Sequence, residues 1–317
     1  MSLLEIILYL SGGILMLYAG AEGLVRGSSS LALRVGIAPL VVGLIVVSLG
    51  TSSPELVVSL KAALEGNGNI SLGNVVGSNI ANIALILGVA AIIRPMKVLA
   101  QVVKREIPIM IFVSLILVLF LIDHQISFIE GIVFSIGIVV YSFISVYLAK
   151  KENNKLIEEE FVEGISKKPL NKWLAIVFII AGLSLLIFGA NLFLEAAVEI
   201  AKIFGLSQAV IGLTIIAIGT SLPELVTSAV ASFKNEADIA IGNAVGSNIF
   251  NIFLILGITA IVIPINAEEI SGVDIIVMLI TAVIILPLSW TGFVLKRWEG
   301  VLLLTGYLVY LYYLIPK

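Results

Sequence analysis

Gly50-Thr51-Ser52-Ser53-Pro54-Glu55-Leu56 returns, 169 positions later, as Gly219-Thr220-Ser221-Leu222-Pro223-Glu224-Leu225. Each copy lies inside an apolar stretch long enough for the helix of about 20 residues that crosses a bilayer. Each also puts a proline and a carboxylate near the middle of that stretch. A charged side chain at the bilayer centre costs about 2.5 to 3.5 kcal/mol on insertion scales, so an acid at that depth points to function. Two acids at matching positions, with no Lys or Arg in either motif, call for a mobile cation as their partner.

The same offset maps the rest of the first half onto the second without a gap. Gly13 maps to Gly182, Gly20-Ala21 to Gly189-Ala190, Gly36 to Gly205, Gly43 to Gly212 and Pro95 to Pro264. A second motif, Gly73-Asn74-Val75-Val76-Gly77-Ser78-Asn79-Ile80-Ala81-Asn82-Ile83, maps to Gly242-Asn243-Ala244-Val245-Gly246-Ser247-Asn248-Ile249-Phe250-Asn251-Ile252. The chain is an internal duplication.

Composition sets the class. The 317 residues are 60% hydrophobic and 12% charged, with mean hydropathy +1.18, whereas a soluble domain carries about 25% charged residues. This is the composition of an integral membrane protein. Cys is absent, which excludes disulfides, thiolate metal sites and cysteine nucleophiles. The one His, His124, falls in the polar turn Asp123-His124-Gln125 and reads as a solvated loop residue. An intramembrane enzyme finds little support, since the chain has no His-Glu-x-x-His, no Gly-x-Gly-Asp and no Ser/His pair near the core. Met1 to Glu5 lacks the basic start of a cleaved signal, and the apolar run continues to Val25, so the first segment reads as a span.

Apolar stretches predict ten helices, near residues 3–25, 37–64, 70–93, 104–122, 127–149, 172–195, 206–232, 239–263, 271–290 and 298–315. The expected fold is an all-α membrane protein, residues 1–149 and 172–317 forming two five-helix repeats joined by a polar cytoplasmic linker, 150–171. Five is odd, so the second repeat enters the membrane from the opposite side and the two are inverted. One face then collects Arg26, Arg34, Arg94, Lys97, Lys104, Arg105, Lys150, Lys151, Lys155, Lys167, Lys168, Lys172, Lys234, Lys296 and Arg297, and the other only Lys61, Lys202 and Lys317. The positive-inside rule makes the first face cytoplasmic and places both termini outside the cell membrane.

Pro54 and Pro223 have no N–H for the carbonyls of Gly50 and Gly219, so helices 2 and 7 are expected to be discontinuous there. Thr51 to Ser53, and Thr220 with Ser221, are placed to cap the half-helices that restart at the prolines. Freed carbonyls and hydroxyls beside a carboxylate are hard oxygen ligands of the kind Ca²⁺ takes. At helical spacing Asn74, Ser78 and Asn82 share one face, as do Asn243, Ser247 and Asn251, and they add neutral oxygens. Asn79 and Asn248 fall on another face and read as structural. Gly73-xxx-Gly77 and Gly242-xxx-Gly246 read as helix-packing patterns. Glu22 and Arg26, four apart, read as an interfacial salt bridge.

Both motifs in duplicate, across the whole chain, resemble the sodium/calcium exchanger branch of the cation/Ca²⁺ exchanger superfamily. The compact prokaryotic type is the nearest likeness, because residues 150–172 leave no room for large Ca²⁺-sensing domains. The resemblance implies that Glu55 and Glu224 form the centre of a Ca²⁺ site and share the flanking Na⁺ sites. It assigns further side-chain ligands to Thr51, Ser52, Ser78, Asn82, Thr220, Ser221, Ser247 and Asn251, and backbone carbonyl ligands to Ser48 and Ala217. Several relatives, the potassium-dependent exchangers among them, carry Asp where this chain has Asn251, which argues against K⁺ co-transport. The implied activity is Na⁺/Ca²⁺ antiport by alternating access, with H⁺/Ca²⁺ antiport through the same glutamates as the alternative. A cation channel is a weaker alternative, since a channel normally encloses its pore by subunit symmetry. The expected partners are membrane lipid and the transported Ca²⁺ and Na⁺, or H⁺; no other cofactor, no nucleic acid and no second subunit are expected.

Overall fold

A computed structural model describes residues 1–152, 169–204, 217–266, 268 and 270–314. The helices are α1 Leu3–Val35, α2 Pro39–Thr51, α3 Ser53–Leu64, α4 Gly68–Ile93, α5 Val102–Asp123, α6 Phe128–Glu152, α7 Lys172–Ile203, α8 Ala217–Thr220, α9 Leu222–Phe233, α10 Ala237–Val262, α11 Gly272–Trp290 and α12 Arg297–Leu314. Among the described residues seven of them (α1, α4, α5, α6, α7, α10 and α11) are long and apolar enough to cross a membrane, and α2 with α3, bent by 43°, make an eighth. The start of the expected seventh crossing and most of the linker lie outside the described residues.

α1 starts on a reciprocal cap: Ser2 Oγ accepts from Glu5 N–H at 3.3 Å, while Glu5 Oε2 accepts from Ser2 N–H at 2.7 Å. It ends at Gly36, whose φ of 71° only a glycine adopts without strain. The expected end at Val25 is therefore ten residues short. No breaker interrupts 26–35, and Ser28, Ser29, Ser30 and Ala32 continue a buried face. α7 likewise continues to Ile203, beyond the expected 195.

α1 and α7 pack antiparallel through small residues. A Cβ on Gly13 would stand 2.9 Å from the Gly189 carbonyl, one on Gly20 2.8 Å from the Gly182 carbonyl, and one on Gly27 2.8 Å from the Ala175 carbonyl. Lipid is as apolar as a leucine side chain, so close backbone approach of this kind is what holds membrane helices together. The 169-residue offset carries Gly13 to Gly182 and Gly20 to Gly189, and each contacts the counterpart of the other.

Four two-residue strands obey the same exchange. β1 (Met96–Lys97) pairs antiparallel with β4 (Val294–Leu295), and β2 (Gln125–Ile126) with β3 (Ile265–Asn266). Met96 faces Leu295, and the offset turns that pair into Ile265 facing Ile126.

The charged pairs correct one expectation. Glu22 Oε1 accepts from Lys234 Nζ at 2.7 Å, and Arg26 lies over the Phe178 ring, 5.6 Å from its centroid. The end of α9 presents a better-placed ammonium than the next turn of α1 itself. Arg34 Nε donates to the Leu170 carbonyl at 3.1 Å, tying residue 170 to the end of α1. Glu106 is fully buried, and accepts from Arg105 Nε at 2.8 Å and from the Tyr141 hydroxyl at 3.0 Å. α5 begins at Val102 with a π-helical turn, two residues before the expected 104. His124 is exposed, in a turn at φ 59°, as expected.

Candidate ion-binding site

The site forms where the two proline motifs meet the two asparagine motifs. Pro54 sits at the second position of α3 and Pro223 at the second position of α9, each directly after a break at Ser52 or Ser221. The break exists because proline offers no hydrogen to the preceding turn. Neither Ser52 nor Ser221 caps its helix through its side chain, which corrects the capping expectation. Their hydroxyls reach across instead.

Ser52 Oγ donates to Glu224 Oε1 at 3.0 Å, and Ser221 Oγ to Glu55 Oε1 at 3.3 Å. Ser221 Oγ is also 3.3 Å from Ser78 Oγ. Both glutamates are 1% exposed. Each carboxylate thus receives one hydroxyl from the motif of the other half.

The asparagines divide into two sets. Asn74 Nδ2 donates to the Glu55 backbone carbonyl at 3.3 Å and to Ser59 Oγ at 3.0 Å. Asn243 Nδ2 does the same for Glu224 at 3.4 Å and Ser228 at 3.1 Å, while Asn243 Oδ1 accepts from Thr51 Oγ1 at 3.1 Å. These two brace α3 and α9 against α4 and α10; their amides are spent on protein. Asn82 and Asn251 differ. Asn82 Nδ2 donates to Asn248 Oδ1 at 2.9 Å and Asn251 Nδ2 to Asn79 Oδ1 at 3.0 Å. Both lie where α4 and α10 widen into π-helical turns, Ala81–Leu87 and Asn251–Leu256, a distortion common at functional sites.

Of the buried side-chain oxygens without a hydrogen-bond partner among the described residues, five belong to the candidate ligands: Glu55 Oε2, Glu224 Oε2, Asn82 Oδ1, Asn251 Oδ1 and Ser247 Oγ. A buried carboxylate oxygen without a partner is costly, so its persistence calls for one. Carboxylate, amide and hydroxyl oxygens, with no nitrogen or sulfur ligand, match hard cations. Thr51 and Ser52 are buried at the break; Thr220 is 8% exposed in α8. The Ser48 carbonyl accepts from Ser52 N–H at 2.9 Å, and Ser48 Oγ donates to the Asn243 carbonyl at 3.0 Å. Ala217, its counterpart by offset, opens α8. Sequence reasoning put Asn79 and Asn248 on another face; the signal for them was their identical recurrence in both motifs.

Packing explains the second pair of motif glycines. A Cβ on Gly242 would lie 2.8 Å from the Leu40 carbonyl, and one on Gly246 would stand closer still to the Leu44 carbonyl and Ser48 Oγ. The counterparts of Leu40 and Leu44, residues 209 and 213, lie outside the described residues.

Comparison with known proteins gives a consistent result. A family model described as sodium/calcium exchanger protein matches residues 5–147 and 174–315. The chain is 38% identical over 311 residues to the inner membrane protein YrbG of Escherichia coli, covering 96% of each. It is 34% identical to the sodium/calcium exchanger MaX1 of Methanosarcina acetivorans, covering 94% of this chain and 95% of that one. A solved structure of the sodium-calcium exchanger NCX_Mj, soaked with Na⁺ and Ca²⁺, superposes with TM-score 0.85 at 31% identity, over 100% of both chains.

Proposed function

Because the chain belongs to the sodium/calcium exchanger family, we propose that it is an antiporter that exchanges Na⁺ for Ca²⁺ across the cell membrane by alternating access. The observation that carries this reading is that Glu55, Glu224, Asn82, Asn251 and Ser247 each keep a buried oxygen without a partner beside the crossed Ser52–Glu224 and Ser221–Glu55 pairs.

Charge accounting supplies the mechanism. Two ionised glutamates give the site −2, which one Ca²⁺ neutralises, while the hydroxyls and amides add oxygens without charge. Na⁺ ions using the same oxygens cannot coexist with Ca²⁺, so competition forces exchange. Glu55 and Glu224 are assigned to Ca²⁺ and shared with Na⁺. The oxygens of Ser78, Asn82, Ser247 and Asn251 complete the cage, with Thr51, Ser52, Thr220 and Ser221 on the broken helices and the carbonyls of Ser48 and Ala217 as Na⁺ ligands. With three Na⁺ per Ca²⁺, one charge crosses per cycle, worth about 2.3 kcal/mol per 100 mV, and a negative interior assists extrusion.

The architecture inferred is ten spans in two inverted five-helix repeats, 1–149 and 172–317, with a cytoplasmic linker at 150–171. Its support is the exchange of partners under the 169-residue offset: Gly13–Gly189 with Gly20–Gly182, and β1–β4 with β2–β3. Lys234 with Glu22, Arg34 with Leu170, and Arg297 with the Ile93 carbonyl gather at the basic end assigned to the cytoplasm. The N-terminal amine, 3.4 Å from Glu199, belongs to the opposite, extracellular end. One chain contains both halves of the site, so a monomer suffices.

The test is uptake of radiolabelled Ca²⁺ into proteoliposomes. Uptake driven by an outward Na⁺ gradient at equal pH is expected. Uptake driven by a pH gradient and indifferent to Na⁺ would replace Na⁺ by H⁺ as the coupling ion, and unitary conductance without counterflow would make the protein a channel.

A further inference from the structure

Among the buried amides, Asn79 and Asn248 stand out because neither is accounted for by helix packing alone. Each accepts, through Oδ1, a hydrogen bond from an asparagine of the other half: Asn248 from Asn82 Nδ2 at 2.9 Å, Asn79 from Asn251 Nδ2 at 3.0 Å. Asn248 is itself held in orientation, because its Nδ2 donates to the Asn79 backbone carbonyl at 3.1 Å and lies 3.5 Å from Met110 Sδ. With its Nδ2 so occupied, Asn248 can offer only Oδ1 to Asn82. All four asparagines are within 2% of complete burial.

A side-chain amide is nearly symmetric in shape and opposite in polarity at its two ends. Turned one way, Asn82 or Asn251 presents an oxygen to a cation; turned the other way, it presents an N–H₂ that repels it. The observed bonds consume the N–H₂ end of both and leave Asn82 Oδ1 and Asn251 Oδ1 buried without partners. We propose that Asn79 and Asn248 are positioning residues that, each across the interface between halves, lock the ligand amides of Asn251 and Asn82 with oxygen toward the transported cation.

The inference rests on the ion-binding reading above and adds a role that the ligands themselves do not explain. It also accounts for the pairing between halves: the ligand on α4 is oriented from α10, and the ligand on α10 from α4. Orientation of the two amides is therefore tied to the contact between the halves.

The orienting role has a signature that a packing role lacks. A carboxylate presents oxygen whichever way it turns, so an Asp ligand needs no orienting partner. Ca²⁺ binding to the purified full-length chain, followed by equilibrium dialysis with radiolabelled Ca²⁺, should weaken on the order of tenfold in Asn248→Leu, the loss of about one hydrogen bond to a ligand. In an Asn82→Asp background the same Asn248→Leu change should alter Ca²⁺ affinity less than twofold. Equal weakening in both backgrounds would show that Asn248 only packs, and would overturn the proposal. The mirror cycle, Asn79→Leu with and without Asn251→Asp, decides the matter if Asn248→Leu does not fold, as judged by its thermal melting. A wild-type chain that binds no Ca²⁺ would overturn the ion-binding reading itself, a result separate from equal weakening in the two backgrounds.

Discussion

The Ser52 hydroxyl hydrogen-bonds the Glu224 carboxylate 3.0 Å away, although 172 positions separate them in the chain. Ser52 forms the break in the first half and Glu224 follows the break in the second, so the contact exists only because the two broken helices face one another. Ser221 makes the reciprocal bond to Glu55 at 3.3 Å. Whatever binds between the carboxylates binds both halves at once.

Glu55→Gln and Glu224→Gln each keep the shape of the side chain and remove one charge. The site then carries −1, too little to neutralise Ca²⁺. Na⁺-driven Ca²⁺ uptake in proteoliposomes should fall to the background of empty vesicles in both variants, while the melting temperature stays the same or rises. Transport at wild-type rate in both would mean that other residues carry the ion.

Ser52→Ala strips the donor from Glu224 Oε1, and Ser221→Ala strips one from Glu55 Oε1 and breaks the contact with Ser78. A buried hydrogen bond to a charged group contributes about 1.5 to 3 kcal/mol. Both variants should raise the KM for Ca²⁺ by roughly tenfold or more. The larger effect is expected for Ser221→Ala, which loses two partners; equal KM values in variant and wild-type flux assays would remove the serines from the site.

Asn251→Asp keeps the oxygen that faces the site and adds a third carboxylate. The site becomes −3 when ionised, so it should hold Na⁺ or H⁺ more tightly. Ca²⁺ uptake by the variant should show a lower KM for Na⁺ and become sensitive to pH, with the extra proton competing as pH falls. An ion dependence identical to that of the wild type would place Asn251 away from the cation.

Gly20→Leu places a side chain where even a Cβ would be 2.8 Å from the Gly182 carbonyl. α1 and α7 must separate, and overpacking of this kind costs about 1 to 3 kcal/mol. A lower melting temperature is expected. Gly12→Ala, one residue before the stacked Gly13, meets nothing within 4 Å among the described residues and should leave the melting temperature unchanged or raise it. If the two substitutions melt alike, the glycine stack does not hold the helices.

Much of this protein is a consequence of local chemistry, and local chemistry is written along the chain. Apolar length places the spans, proline lacks the hydrogen that would continue a helix past Ser52 and Ser221, and a carboxylate at that depth announces a cation. The 169-residue repeat says that whatever one half does, the other does too. None of these needs knowledge of what lies opposite.

Partner choice does need it, and there the tertiary structure decided. Hydroxyls expected to cap their own helices donate instead to the carboxylate of the opposite half, an acceptor that only the packed helices bring within reach. Asn79 and Asn248, out of phase with Asn82 and Asn251 on an ideal helix, meet them from the neighbouring helix, where α4 and α10 widen into π turns. Glu22 chose Lys234 over Arg26, and Glu106 is buried with Arg105 and Tyr141, for the same reason. Periodicity records which side of a helix avoids lipid or water; only the assembled helices determine which atom waits on that side.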